Sequence, residues 1–204
     1  AAVGVANRTG SVKVGHSDKA FLQGIYDRYL AGGAKAQSER GVTLMLRDIP
    51  YRLQVEPDLL DLLRQTCEME HVDYIYLPMS IDIPVRNSDI RMRNSDNKMR
   101  NRGYCFIHFS VAATAQAFAS RIYDHAAFGG KHITICRAKF QGLGTNLMNL
   151  LDISSKKWRP KNGFAHIRGS KGDLVCVGLS PLRNLLKRDA NRHGKAPGSK
   201  AARP

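Results

Sequence analysis

Residues 102–109, Arg-Gly-Tyr-Cys-Phe-Ile-His-Phe, constrain the fold more than any other stretch of this chain. In an extended segment successive side chains point to opposite faces. Cys105, Ile107 and Phe109 therefore form one set, of the kind that enters a core. Arg102, Tyr104, Phe106 and His108 form the other, with two rings two residues apart. A strand divided in this way belongs to a sheet that packs on one side and offers an aromatic platform on the other.

The neighbouring segments supply the rest of such a sheet. Residues 42–46, Val-Thr-Leu-Met-Leu, alternate as a first strand, and Arg47-Asp48-Ile49-Pro50 turns the chain. Pro57 at a first helical position, followed by Leu59, Leu60, Leu62, Leu63 and Cys67, predicts an amphipathic helix. Residues 72–77 form a second strand, with Ile75 and Leu77 inward and Tyr74 and Tyr76 on the face of Tyr104; the opposite parity would bury both tyrosines. After the octamer strand, Ser110 caps a helix running to about Tyr123, with Ala117, Phe118 and Ile122 inward. Residues 131–140 give a last strand. The order strand, helix, strand, strand, helix, strand predicts an α+β fold: a ferredoxin-like split β-α-β-β-α-β sandwich, four antiparallel strands on two helices with one face bare. A further apolar helix at 145–153 is placed to lie across an edge of that sheet. Upstream, Ser17 caps a helix carrying Phe21, Leu22, Ile25 and Tyr29, ended by Gly32-Gly33 and docked on the domain or on a partner. The chain thus divides into an arm with one helix (1–40), a folded unit with an insertion at 79–101 (41–153), and a basic extension (154–204).

Charge points to the partner. Lys and Arg number 32 against 17 Asp and Glu, a net +15, which favours a polyanion. The surplus is uneven: residues 41–153 carry 13 basic and 12 acidic side chains, residues 154–204 carry 13 and 2. The extension holds a basic run around Trp158, a possible hairpin pairing 164–167 with 174–177, a brief helix over 182–188 and a low-complexity end from Asn191. Its few apolar residues suffice for a satellite cluster at most, so its order is expected to come from a bound polyanion. Within the insertion a small repeat brings six basic and two acidic residues into positions 86–102, as a cationic finger or a solvated excursion. Four widely spaced cysteines without a C-x-x-C pair argue against a zinc site or a disulfide framework and suit a reducing compartment. No run approaches 18 apolar residues, so no membrane span is expected. No metal-ligand spacing, phosphate loop or nucleophile context is found, so neither a metal, a cofactor nor an enzyme is expected. The first residue, Ala1, fits a chain whose leading segment, such as a transit peptide, has been removed or trimmed.

The octamer agrees with the RNA-recognition consensus [KR]-G-[FY]-[GA]-[FY]-[VI]-x-[FY] at Arg102, Gly103, Tyr104, Phe106 and Phe109. It resembles the RNA recognition motif, and with its neighbours the C-terminal motif of the Mei-two-like family of RNA-binding proteins. That narrower likeness rests on residues 43–50, on Asp73-Tyr74-Ile75-Tyr76-Leu77-Pro78, and on Arg137-Ala138-Lys139-Phe140-Gln141-Gly142 before a helix. It spans about 41–153. The resemblance implies binding of single-stranded RNA on the sheet face, through Arg102, Tyr104, Phe106 and the position of Met45. Two departures stand out: the 86–102 loop is long, and Met45 replaces a ring. Further candidate contacts are Arg47, Tyr74, Tyr76, His108, Thr134 and Lys139 on or beside that face. The loop adds Arg86, Arg91, Arg93, Lys98 and Arg100, and the extension adds Lys156, Lys157, Arg159 and Lys161. Three functions are open. The first is a structural component of a ribosome-like ribonucleoprotein particle, with protein neighbours, expected in the mitochondrion or alternatively in nucleus or cytoplasm. The second is a regulatory single-strand binder of the Mei-two-like type. The third is a protein-interaction module whose tails alone touch RNA.

Overall fold

The computed structural model describes residues 19–30, 41–80, 100–123, 125, 128, 132–151, 164–169 and 172–193. Among them are six strands of one antiparallel sheet and a separate two-stranded ladder. In chain order these are β1 (Val42–Arg47), β2 (Val72–Tyr76), the ladder pair β3 (Met79–Ser80) and β4 (Arg100–Asn101), then β5 (Tyr104–Phe109), β6 (Thr134–Arg137), β7 (Phe164–Arg168) and β8 (Leu174–Gly178). The large sheet runs β6-β1-β5-β2-β7-β8.

One face packs on α2 (Leu60–Thr66) and α3 (Ala112–Ile122). Leu44 and Leu46, Val72 and Ile75, and Cys105, Ile107 and Phe109 project from the strands into a core completed by Leu59, Leu63, Phe118 and Ile122. The rings of Phe109 and Phe118 lie 5.2 Å apart. The octamer strand thus buries the set that its alternation assigned to the core. Helical dihedrals run from Pro57, as expected: a wide helical turn over Val55–Leu59, non-helical only at Glu56, leads directly into α2, and in it the Asp58 carboxylate accepts the Gln54 N–H at 2.9 Å. Ser110 does not cap α3; its hydroxyl donates to the His71 carbonyl at 3.3 Å, and Val111 occupies the N-cap.

The opposite face is not bare. Helices α1 (Lys19–Tyr29), α4 (Leu143–Leu151) and α5 (Leu179–His193) bring Leu22, Ile25, Leu147, Leu151 and Leu182 onto Tyr74, Tyr76, Ala165, Ile167 and Val177, forming a second core. The sheet is therefore a middle layer between helices, six strands wide where four were expected. The cause lies in the basic extension. Ala165 and Ile167 alternate along β7 while Leu179, Leu182 and Leu186 recur at helical spacing along α5, so both elements own an apolar face. Burying it at about 25 cal/mol per Å² offsets the ordering of a strongly charged segment. The expectation that 154–204 is ordered by a bound polyanion alone is corrected for residues 164–169 and 172–193, which build strands and a helix of the same fold.

Pairing of β3 with β4 ties together the two ends of the insertion. Residues 81–99, and with them the expected contacts Arg86, Arg91, Arg93 and Lys98, lie outside the described residues. So do Lys156, Lys157, Arg159 and Lys161.

Candidate nucleic-acid interface

Strand register sets the second face out in three rows. Cys136, Met45, Phe106 and Tyr76 are neighbours across β6, β1, β5 and β2. On one side of this row stand Thr134, Arg47 and Tyr104. On the other stand Thr43, His108 and Tyr74.

The last row is sealed. Thr43, His108 and Tyr74 are 0%, 3% and 1% exposed. Asn146 of α4 donates to the Thr43 hydroxyl at 3.1 Å, and that hydroxyl lies 3.0 Å from Nδ1 of His108. Because the hydroxyl accepts from Asn146, its own proton is best spent on Nδ1, which assigns His108 the neutral tautomer protonated at Nε2. Burial pushes the His108 pKa down to about 4. Gln141 fastens the same strand by accepting from the Thr43 N–H and donating to the Thr43 carbonyl, both at 3.0 Å. Gly41 admits the approach of β5: a Cβ there would stand 2.2 Å from the Phe109 carbonyl oxygen and 2.5 Å from His108 Cε1.

The middle row is half covered. Tyr76, 3% exposed, stacks on Phe106 at 6.5 Å between centroids, and Phe106 meets Tyr104 edge-on at 5.7 Å. Met45 and Phe106 are partly exposed. The outer row is open: Arg47, Thr134 and Arg102 are exposed, and Tyr104 is partly so. The Thr134 hydroxyl donates to Asp48 at 2.9 Å, and Arg102 hydrogen-bonds Tyr104. Lys139, also exposed, holds its ammonium 5.6 Å from the centre of the Phe140 ring.

Tyr74, Tyr76 and His108 were expected to meet RNA. Each sits on the foreseen face, but beneath the second helical layer, where no base reaches it without displacing that layer. The structure does gather Met45, Arg47, Arg102, Tyr104, Phe106 and Thr134 at one uncovered end of the sheet. Arg100, partly buried, belongs to the separate β3–β4 ladder, where it pairs with Ser80.

Buried Asn101 positions this end. Its Nδ2 donates to the carbonyls of Pro50 and Leu53, both at 2.7 Å, and its Oδ1 accepts the Gly103 N–H at 2.7 Å. The side chain thereby locks the turn after β1 to the start of β5. Gly103 follows at φ +80°, in the left-handed region that favours glycine, and points the Arg102–Tyr104 segment outward.

Electrostatics single out a residue that the sequence reading missed. Burial lifts the Tyr76 phenol to about 12, Tyr104 adds to this, and Arg102 and Arg183 oppose it. Tyr104 is also raised by burial and lowered by Arg102. Arg183 of α5 thus faces the same aromatic group from the covering layer. Its signal was legible: it stands four residues after Leu179, within the apolar stripe of α5, where a charge is out of place.

Elsewhere, among the described residues, Glu68, Glu70 and His71 hold ligand-type atoms within 4.8 Å of one another. All are accessible, and His71 already lies 3.2 Å from Glu68. The four cysteines are free. No helix among the described residues is long and apolar enough to cross a membrane. The sequence matches no model of a known protein family, and no curated protein matches it either.

Proposed function

We propose that this protein binds RNA as a structural component of a large, ribosome-like ribonucleoprotein particle, with a mitochondrial one as the first candidate. In this reading β1, α2, β2, β5, α3 and β6 are a β-α-β-β-α-β unit of the RNA-recognition kind, and their strand order β6-β1-β5-β2 suits it. The observation that carries the reading is Tyr104, a ring left accessible between Arg102 and Arg47 at the uncovered end of the sheet. A base stacked there gains about 1–3 kcal/mol, and the arginines meet its phosphates. The basic insertion and extension then neutralise further phosphates, which suits docking on a long RNA.

Tyr104→Ala is expected to weaken binding of a single-stranded RNA decamer by about 1–3 kcal/mol without unfolding the protein. Fluorescence anisotropy measures the first and a urea melt the second; unchanged affinity would remove the sheet from RNA binding. A related expectation concerns the insertion. Neutralising Arg86, Arg91, Arg93 and Lys98 should flatten the log-log salt dependence by roughly one unit for each phosphate that a side chain no longer neutralises. An unaltered slope would make the insertion a solvated excursion.

A second reading is favoured by the covered tyrosines. With Tyr74 and Tyr76 buried, the open platform is shorter than a sheet-wide RNA track needs. A protein-interaction module that touches RNA only through its basic segments accommodates this. In that case Tyr104→Ala leaves RNA affinity unchanged while the salt slope still falls on neutralising the insertion.

A further inference from the structure

The aromatic row is open at one end and closed at the other. At the β6 edge Thr134 is exposed and Cys136 partly so. Across β1 and β5 the row continues through Met45 and Phe106, then stops at Tyr76, which is 3% exposed beneath the helical layer. Among the described residues, a nucleic-acid strand entering over β6 therefore runs into a wall at β2 and has no path onward over the sheet.

The wall is cationic. Arg183 projects from α5 within electrostatic reach of Tyr76, as does Arg102 from the β5 side. Its guanidinium makes one long hydrogen bond among the described residues, from Nη2 to the Leu150 carbonyl at 3.5 Å, and its buried Nε has no partner there. No carboxylate among the described residues pairs with it. A half-buried guanidinium of five donors, so sparsely satisfied, is poised for an anion. Asp48, next to Arg47 at this end, is engaged by Thr134 of the edge strand β6.

We infer that Arg183 and Arg102 form the stop of a blind-ended track and bind the phosphate monoester at the end of an RNA strand whose last base lies against Tyr104 and Phe106. A terminal monoester carries close to two negative charges near neutral pH, against one on an internal diester. It therefore suits two arginines and a closed lane better than a strand passing through. This rests on the RNA-binding reading and adds to it the class of ligand: a strand end rather than an internal stretch.

The test uses the full chain and four forms of one uridine decamer: 5′-phosphorylated, 3′-phosphorylated, hydroxyl at both ends, and circular. One phosphorylated form should bind at least about tenfold more tightly than the hydroxyl-ended form, the effect of one charge-assisted hydrogen bond, and its position names the end that is read. The circle should bind no better than the hydroxyl-ended strand. Arg183→Gln should abolish the preference, bringing the ratio of phosphorylated to hydroxyl-ended affinity to about one. Arg102→Gln, at an exposed position, should reduce the preference too, and serves if Arg183→Gln fails to fold. Equal affinity for all four forms, or a preference that survives both substitutions, overturns end recognition and leaves RNA binding standing. Failure of every form to bind overturns the RNA reading itself.

Discussion

Tyr74→Ala is expected to destabilise the protein by about 3–5 kcal/mol, the range found for truncating a large buried ring. Tyr74 is 1% exposed and lies between His108 of β5 and Ile167 of β7, at the centre of the core shared with α1, α4 and α5. Urea unfolding followed by far-ultraviolet circular dichroism measures the loss. A loss below about 1 kcal/mol, as expected for a half-exposed side chain such as Tyr104, would mean that the helical layer is not packed on the sheet. Amide exchange offers an independent check on the isolated protein. Residues 174–178 and 179–188 should be protected without RNA, since their hydrogen bonds and apolar contacts are internal to the fold.

This outcome is the reverse of what charge counting implies, and the contrast shows what a sequence discloses. Alternation assigned Cys105, Ile107 and Phe109 to one face and Tyr74, Tyr76, Tyr104 and Phe106 to the other, and the structure has them so. Side-chain direction follows from backbone geometry over two residues, which makes it legible. Exposure does not. Tyr74 and Tyr104 share a face, yet one is sealed and the other open, because α4 and α5 come to rest over one end of the sheet. That placement depends on Asn146 reaching Thr43 across 103 residues, and on Leu182 reaching the tyrosines. No local pattern encodes such partners. The extension was misread for a related reason: 13 basic residues dominate its composition, while the apolar positions that matter, from Ala165 to Leu186, are few and significant only through their spacing. Arg183 adds to the charge of the extension, yet its place in the apolar stripe of α5 is the informative fact.

Acid is expected to undo the covered end of the sheet through His108. Its native pKa is about 4, against about 6.5 for an unperturbed histidine, because burial penalises the charged ring. The unfolded chain therefore takes up this proton first as pH falls. The contribution of His108 to stability is complete above about pH 6.5 and is lost progressively from there down to about pH 4. Between pH 7 and pH 4.5 the loss from this residue amounts to roughly 2–3 kcal/mol. His166 adds a loss of the same sign: burial lowers its pKa, with Glu56, 3.3 Å away, opposing the shift. The two are separated by His108→Gln, in which the amide oxygen can still accept from the Thr43 hydroxyl. The variant should be less stable than the parent at pH 7 yet lose roughly 2–3 kcal/mol less on going to pH 4.5, as read from urea midpoints at both values. Parallel curves for variant and parent would show that His108 is not the titrating group. Since Asn146 and Thr43 join His108 to α4, the first amides to gain exchange at low pH should be those of α4, at the border where the covering layer gives way to the open row of Arg47 and Tyr104.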